Sequence, residues 1–254
     1  MYILKLYGDF TKQDWLKAIG IEDKDVPKSF ILHGEWNHDE NLSIWKQILA
    51  TDTVLPKWNT VIGKYNNIQL GFANVFGSPI AATMTHQFAS VGTDVFIQTG
   101  YFGGLSHIVK YGDILIVTAA EMKDGVSHWY LPNQDRIKSD EHLVNAAIEY
   151  CKKMKYNYVI GSVVSTSAML IETSELIMEW AENQHVGVDM ETATTLSIAK
   201  KFGKRAISLL NLSDHLIQGD TLYSYTTERE VIESETDVKI RDVALHLSEL
   251  KISP

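Results

Sequence analysis

The stretch VFIQTGYFGGLSHIVKYGDILIV, residues 95–117, holds two continuously apolar runs, Val95-Phe96-Ile97 and Ile114-Leu115-Ile116-Val117, on either side of a glycine-rich segment. Short apolar runs without alternation, bounded by glycine or aspartate, read as central strands covered on both faces. Such strands belong to mostly parallel sheets with helices packed above and below. Toward the N-terminus, Phe30-Ile31-Leu32 reads as another buried strand, residues 42–49 as the helix after it, and Ile68, Leu70 and Phe72 alternate as a strand. That strand leads into Gly77-Ser78-Pro79, where Ser78 is expected to cap a helix with Pro79 in its first turn.

Toward the C-terminus the alternation continues. A helix follows Ser139 with Val144, Ala147, Ile148 and Cys151 on one stripe, and residues 158–164 form a strand. Ser174 is expected to cap the next helix, and a further one from Met190 stops at Gly203 before a strand over residues 206–210. The tail, acidic around residues 228–237, reads as a solvent-facing closing helix. The rhythm predicts an α/β fold: a single three-layer α/β/α domain over residues 29–254 with a mixed, mostly parallel central sheet. Residues 1–28 stand outside it as an N-terminal extension.

The 254 residues carry 32 acidic against 23 basic side chains, a formal charge of −9, which argues against nucleic acid or an anionic membrane surface as partner. A small molecule fits better. Cys151 is the only cysteine, so no disulfide framework or paired thiol site is expected, and a reducing cytoplasm is the expected location. The nine histidines show no metal-ligand spacing, and no Gly-x-Ser-x-Gly elbow is present. No metal, cofactor or membrane span is expected.

Three segments fall at the carboxyl ends of strands, where open parallel sheets keep their sites: Gly100 to Gly104, Asp189-Met190-Glu191 and Ser213-Asp214-His215. Each has a plainer reading. The glycines lack the spacing of a dinucleotide fingerprint or P-loop and taken alone read as a tight turn; Glu191 would favour a helix N-terminus, and Asp214 could cap a turn.

Together and in order, six segments resemble the purine nucleoside phosphorylase and uridine phosphorylase superfamily, which includes methylthioadenosine and AMP nucleosidases. They are residues 77–79, 99–105, 112–113, 124–130, 187–193 and 213–215. The resemblance implies a nucleoside phosphorylase-like catalytic domain that cleaves the N-glycosidic bond of a nucleoside, with a purine ribonucleoside expected. It implies that Asp214 is the general acid to the base and that Glu191, Met190 and His128 hold the ribose. Met169, Ser213 and Tyr130 would face the base, and Arg229 of Glu228-Arg229 is the counterpart of an arginine that assists the acid. It also implies a homo-oligomer, a dimer or hexamer.

The anion site departs from that pattern. Residues 34–38 read Gly-Glu-Trp-Asn-His where relatives carry an arginine-bearing turn, and Gln98 stands in place of a second arginine. A guanidinium suits a phosphate dianion, and glutamine cannot supply its charge. Gly34, Gln98, Gly100 and Tyr101 are therefore expected to form a phosphate or water site, with Glu35, Asp39 or Glu40 as the base for water and Lys57 or a residue of a neighbouring subunit as an alternative phosphate ligand. Hydrolysis is favoured, and inorganic phosphate is a co-substrate only if cleavage is phosphorolytic. The alternatives are a phosphorylase with a remodelled anion site and a catalytically inactive nucleoside-binding sensor.

Overall fold

The computed structural model describes residues 5–51, 54–55 and 59–250. In chain order its elements are α1 (Lys12–Ile19), β1 (Ser29–Gly34), α2 (His38–Ile48), β2 (Val54–Leu55), β3 (Thr60–Tyr65), β4 (Ile68–Val75), α3 (Ser78–Val91), β5 (Val95–Gly104) and β6 (Ile114–Lys123). They continue with α4 (Ser127–Tyr130), β7 (Arg136–Lys138), α5 (Glu141–Met154), β8 (Tyr158–Thr166), α6 (Ser174–Glu182), β9 (His185–Asp189), α7 (Thr192–Lys201), β10 (Arg205–Asp214) and α8 (Thr227–Ser248).

All strands join one mixed sheet in the order β10-β6-β8-β9-β5-β1-β4-β3-β2, with β7 on β6. β1 runs parallel to β4 and β5, β5 parallel to β10, and β8 parallel to β6 and β9. The sheet also closes on itself. β10 pairs with β6 on one side and β5 on the other, while the end of β5 bends to meet β9 through Gly103 and Gly104. The glycine-rich segment is thus the continuation of a strand and not the tight turn its composition suggests. Small residues are needed there: a Cβ on Gly103 would lie 2.5 Å from Leu216, and one on Gly104 2.9 Å from Leu212.

Alternate residues of the central strands serve opposite cores. Phe30, Leu32 and Phe96 pack with Trp15 of α1, Phe88 of α3 and Leu196 of α7, whereas Ile31, Phe72 and Ile97 pack with Trp45 of α2, Leu143 of α5 and Val243 of α8. Full burial of each such side chain contributes roughly 1.5–3 kcal/mol. The N-terminal segment therefore shares the core of the domain through Trp15, Leu16 and Ile19. Among the described residues no helix is long and apolar enough to cross a membrane.

Three local expectations are corrected. Ser78 does not cap α3; Gly77 occupies that position, and the Ser78 hydroxyl donates to the Met190 carbonyl oxygen at 2.7 Å. Thr173, not Ser174, caps α6, accepting from the Leu176 amide. α8 is not purely solvent-facing, because Arg229, Thr236, Ile240, Val243, Ala244 and Leu247 form a buried stripe along it.

Candidate active site

β1, β5, β9 and β10 end around one cavity of about 310 Å³. Its floor depends on two glycines. Gly34 closes β1 opposite Gly100, and a Cβ on Gly100, which has φ +145°, would lie 3.0 Å from the Gly34 backbone. A Cβ on Gly34 would in turn lie 2.7 Å from Glu191 Oε2. Only hydrogen at Gly34 lets the carboxyl of Glu191 rest on the strand end.

Glu191 does not cap the helix it precedes. Asp189 does that work: its Oδ2 accepts the amide protons of Thr192 at 2.8 Å and Glu191 at 3.3 Å, and its Oδ1 accepts the Ser165 hydroxyl at 2.5 Å. The Glu191 carboxyl is thereby released toward the cavity, where Oε1 accepts the Gly77 amide at 2.6 Å. Burial, and then the neighbouring Asp189, push it up to about 8. Met190 lines the cavity beside it.

Asp214 ends β10 and caps nothing. It is buried, with Oδ1 accepting the Ser213 hydroxyl at 2.5 Å, and burial raises it above the usual carboxylate range against the pull of Ser213 and Arg229. Arg229 is itself buried. Its guanidinium donates to the Ser213 and Ser224 carbonyl oxygens and lies 4.7 Å from the ring centres of both Tyr111 and Tyr225. It reaches the backbone beside Asp214 and is not on the cavity wall.

The far wall carries Gly34, Glu35, Tyr101 and Glu233. The Tyr101 hydroxyl donates to Asp237 Oδ2 at 2.7 Å, and Asn211 donates to the other oxygen of that carboxyl at 2.8 Å. Burial, then Asp237 and Glu35, push Glu233 up to about 8; burial lifts Asp237 to about 6 against its two hydrogen bonds. Met169, Ser213, Phe102 and Glu172 also line the cavity, with Glu172 pushed up to about 7 by burial and then by Asp214. Among the described residues no group of three His, Cys, Asp or Glu is placed to hold a metal ion.

Several expected residues lie elsewhere. Gln98 is fully buried but turned to α7, its amide oxygen accepting the Thr195 hydroxyl at 2.8 Å and its nitrogen donating to the Thr99 carbonyl oxygen. Gly100 backs Gly34 without lining the cavity. His128 and Tyr130 sit on α4, which packs on α7 away from the cavity. The His128 ring nitrogen is 2.9 Å from the Met122 carbonyl oxygen, and the Tyr130 hydroxyl is 3.0 Å from a nitrogen of His86. Asp39 and Glu40 are exposed in the first turn of α2 and do not line the cavity. Lys57 and the side chain of His38 lie outside the described residues. Glu172 and Glu233 were not anticipated, although Glu233 falls on the i, i+4 stripe of Arg229 and Asp237.

Comparison with known proteins bears on the family and the fold. A family model described as Phosphorylase superfamily matches residues 48–241. Guanosine phosphorylase of Halorubrum lacusprofundi is 24% identical over 212 residues, covering 79% of this chain and 83% of the relative. Uridine phosphorylase of Thermococcus kodakarensis is 24% identical, covering 77% and 76%. Among solved structures, uridine phosphorylase from Vibrio fischeri superposes with a TM-score of 0.77 at 18% identity, covering 90% of this chain and 95% of that one. The P. knowlesi homologue of P. falciparum PNP gives 0.75 at 16%, covering 97% and 99%.

Proposed function

The chain belongs to the phosphorylase superfamily, and from that premise we propose that its cavity binds a nucleoside, a purine ribonucleoside first, and hydrolyses the N-glycosidic bond. Glu191 exchanges hydrogen bonds with the ribose hydroxyls and Met190 packs beneath the sugar. Met169 and Ser213 bound the base. The bond from C1′ to the base nitrogen breaks with its electron pair leaving on the base, and Asp214 delivers a proton to N7. Water forms the new bond to C1′ and yields its proton to Glu35, with Glu233 beside it. Arg229 positions Asp214 through the Ser213 carbonyl.

One observation carries the choice of water over phosphate. Among the described residues no Arg or Lys side chain lines the cavity, and the wall beside Gly34 and Tyr101 presents the carboxyls of Glu35 and Glu233. A phosphate dianion there finds no guanidinium to offset its charge. A second reading, phosphorolysis, is favoured by the names of the relatives, which are phosphorylases.

The deciding experiment is product analysis with inosine, adenosine and guanosine in buffer stripped of phosphate and again with phosphate added. Free ribose formed at the same rate in both is the expected result. Ribose 1-phosphate formed only with phosphate would establish the second reading, and binding without base release would leave a sensor.

A further inference from the structure

Tyr101 and Asn211 stand opposite one another where β5 pairs with β10, and Glu233 and Asp237 lie four residues apart on α8. Asn211 joins the two elements: its amide nitrogen donates to the Glu233 carbonyl oxygen at 2.9 Å and to Asp237 Oδ1 at 2.8 Å. A carbonyl oxygen only accepts, so the atom facing it is the nitrogen, and both protons of that nitrogen are spent. Asp237 Oδ2 is left for Tyr101, whose hydroxyl lies 2.7 Å away. Burial raises Asp237 only to about 6, so at pH 7 it is ionised and accepts. The single phenolic proton is committed to it.

That proton stays where it is. Burial, and then the charge of Asp237, push the Tyr101 hydroxyl above its ordinary range, and the ring is braced edge-on by His33, with centres 5.7 Å apart. Asp237 does not line the large cavity; it faces a chamber of about 20 Å³ shared with His33 and Arg241. Tyr101 does line the large cavity, and its hydroxyl feels the charges of Glu233 and Glu35 on the same wall. To a molecule bound beside those carboxyls the Tyr101 oxygen offers lone pairs and no proton.

We propose, resting on the hydrolytic reading above, that Asp237 is a positioning residue: by holding the Tyr101 proton it makes the phenolic oxygen the second acceptor for the attacking water. Glu35 takes one proton of that water as its oxygen bonds to C1′. The other proton is hydrogen-bonded to Tyr101 and remains on the new C1′ hydroxyl. With both O–H bonds fixed, a lone pair of the water is aimed at C1′. The same arrangement disfavours phosphate, whose oxygens need donors that this oxygen does not supply.

Asp237→Asn reverses the device without removing an atom from the cavity wall. The new side chain turns its carbonyl oxygen to Asn211 and its NH2 to Tyr101, which sends the phenolic proton toward the cavity. Methanol, with one hydroxyl proton where water has two, reads the change. With inosine in phosphate-free buffer containing methanol, the ratio of methyl riboside to ribose is expected to rise about tenfold over wild type, the worth of the hydrogen bond that only water makes. An unchanged ratio overturns the proposal. A second arm needs no turnover: calorimetry with inorganic phosphate is expected to show about tenfold tighter binding in Asp237→Asn than in wild type. The gain is expected to vanish when Tyr101→Phe is added; a gain that survives comes from the lost charge alone and overturns the proposal. Should Asp237→Asn fail to fold, Tyr101→Phe by itself is expected to lower kcat for ribose release about tenfold with KM for inosine unchanged, and an undiminished kcat overturns the proposal. Wild type that releases no ribose without phosphate strikes the hydrolytic reading itself, before any variant is compared.

Discussion

Arg229 binds the carbonyl oxygen of Ser213, one peptide behind the carboxyl of Asp214, and does not pair with that carboxyl directly. Its positive charge still draws the Asp214 carboxyl down against the effect of burial. Arg229→Gln should let Asp214 rise further. Since a general acid works while protonated, the high-pH limb of kcat/KM is expected to move upward in the variant and to stay near its original place in Arg229→Lys. The glutamine variant also leaves the Ser213 and Ser224 carbonyls short of donors, a cost of about 1–3 kcal/mol for each buried group left unsatisfied, readable as a lower melting temperature.

Asp214→Asn keeps the shape of the site and removes the transferable proton. Base release from inosine is expected to fall about 10²–10⁴-fold. The loss should be far smaller for 7-methylinosine, whose N7 needs no proton, and equal losses on the two substrates would remove Asp214 from the acid role.

Gly34→Ala places a methyl where Glu191 Oε2 now lies, 2.7 Å from the ideal Cβ position. The carboxyl must move off the strand end. We expect kcat/KM for ribonucleosides to drop about tenfold to a hundredfold, the worth of one or two hydrogen bonds to the ribose hydroxyls, with little change in melting temperature. Full activity in this variant would detach Glu191 from ribose binding.

The carboxyls of the cavity should make the protein sensitive to alkali. Glu172, Glu191 and Glu233 are raised in the fold to about 7, 8 and 8 from an unfolded value of about 4.3. The native state therefore holds more protons than the unfolded chain between those limits, and stability declines as pH rises toward 8. Buried His33, held down at about 4 by burial and Arg241, works in the opposite sense and removes stability as pH falls below about 6.5. A melting temperature higher at pH 6.5 than at pH 8.5 is expected, with the difference narrowed in Glu233→Gln.

Much of this was legible in the chain. The continuous apolar runs at 95–97 and 114–117 locate β5 and β6, and the order of the six motifs brings Glu191 and Asp214 to the ends of β9 and β10. Less legible was the direction of a side chain. Gln98 sits on a strand that reaches the site, but the pleat turns it toward Thr195, and periodicity alone does not say which face of a doubly covered strand meets the cavity. His128 and Tyr130 are near the site in sequence order and are carried off by a four-residue helix. Glu233 was missed for another reason. The acidity of residues 228–237 suggested solvent, while the stripe at i, i+4 and i, i+3 spacing from Arg229 through Glu233 and Asp237 to Ile240 held the better signal.

The pairing of β5 with β10 sets when this protein can become whole. During synthesis the chain emerges N-terminal end first, so β5 stands with one backbone edge bare until β10, the last strand of the sheet in chain order, arrives to cover it. An apolar strand with an open edge is a template for pairing with another molecule. A product terminated before Arg205 would lack Asp214 and would also leave the apolar edge of β5 uncovered, so premature termination should yield aggregates and not merely an inactive domain.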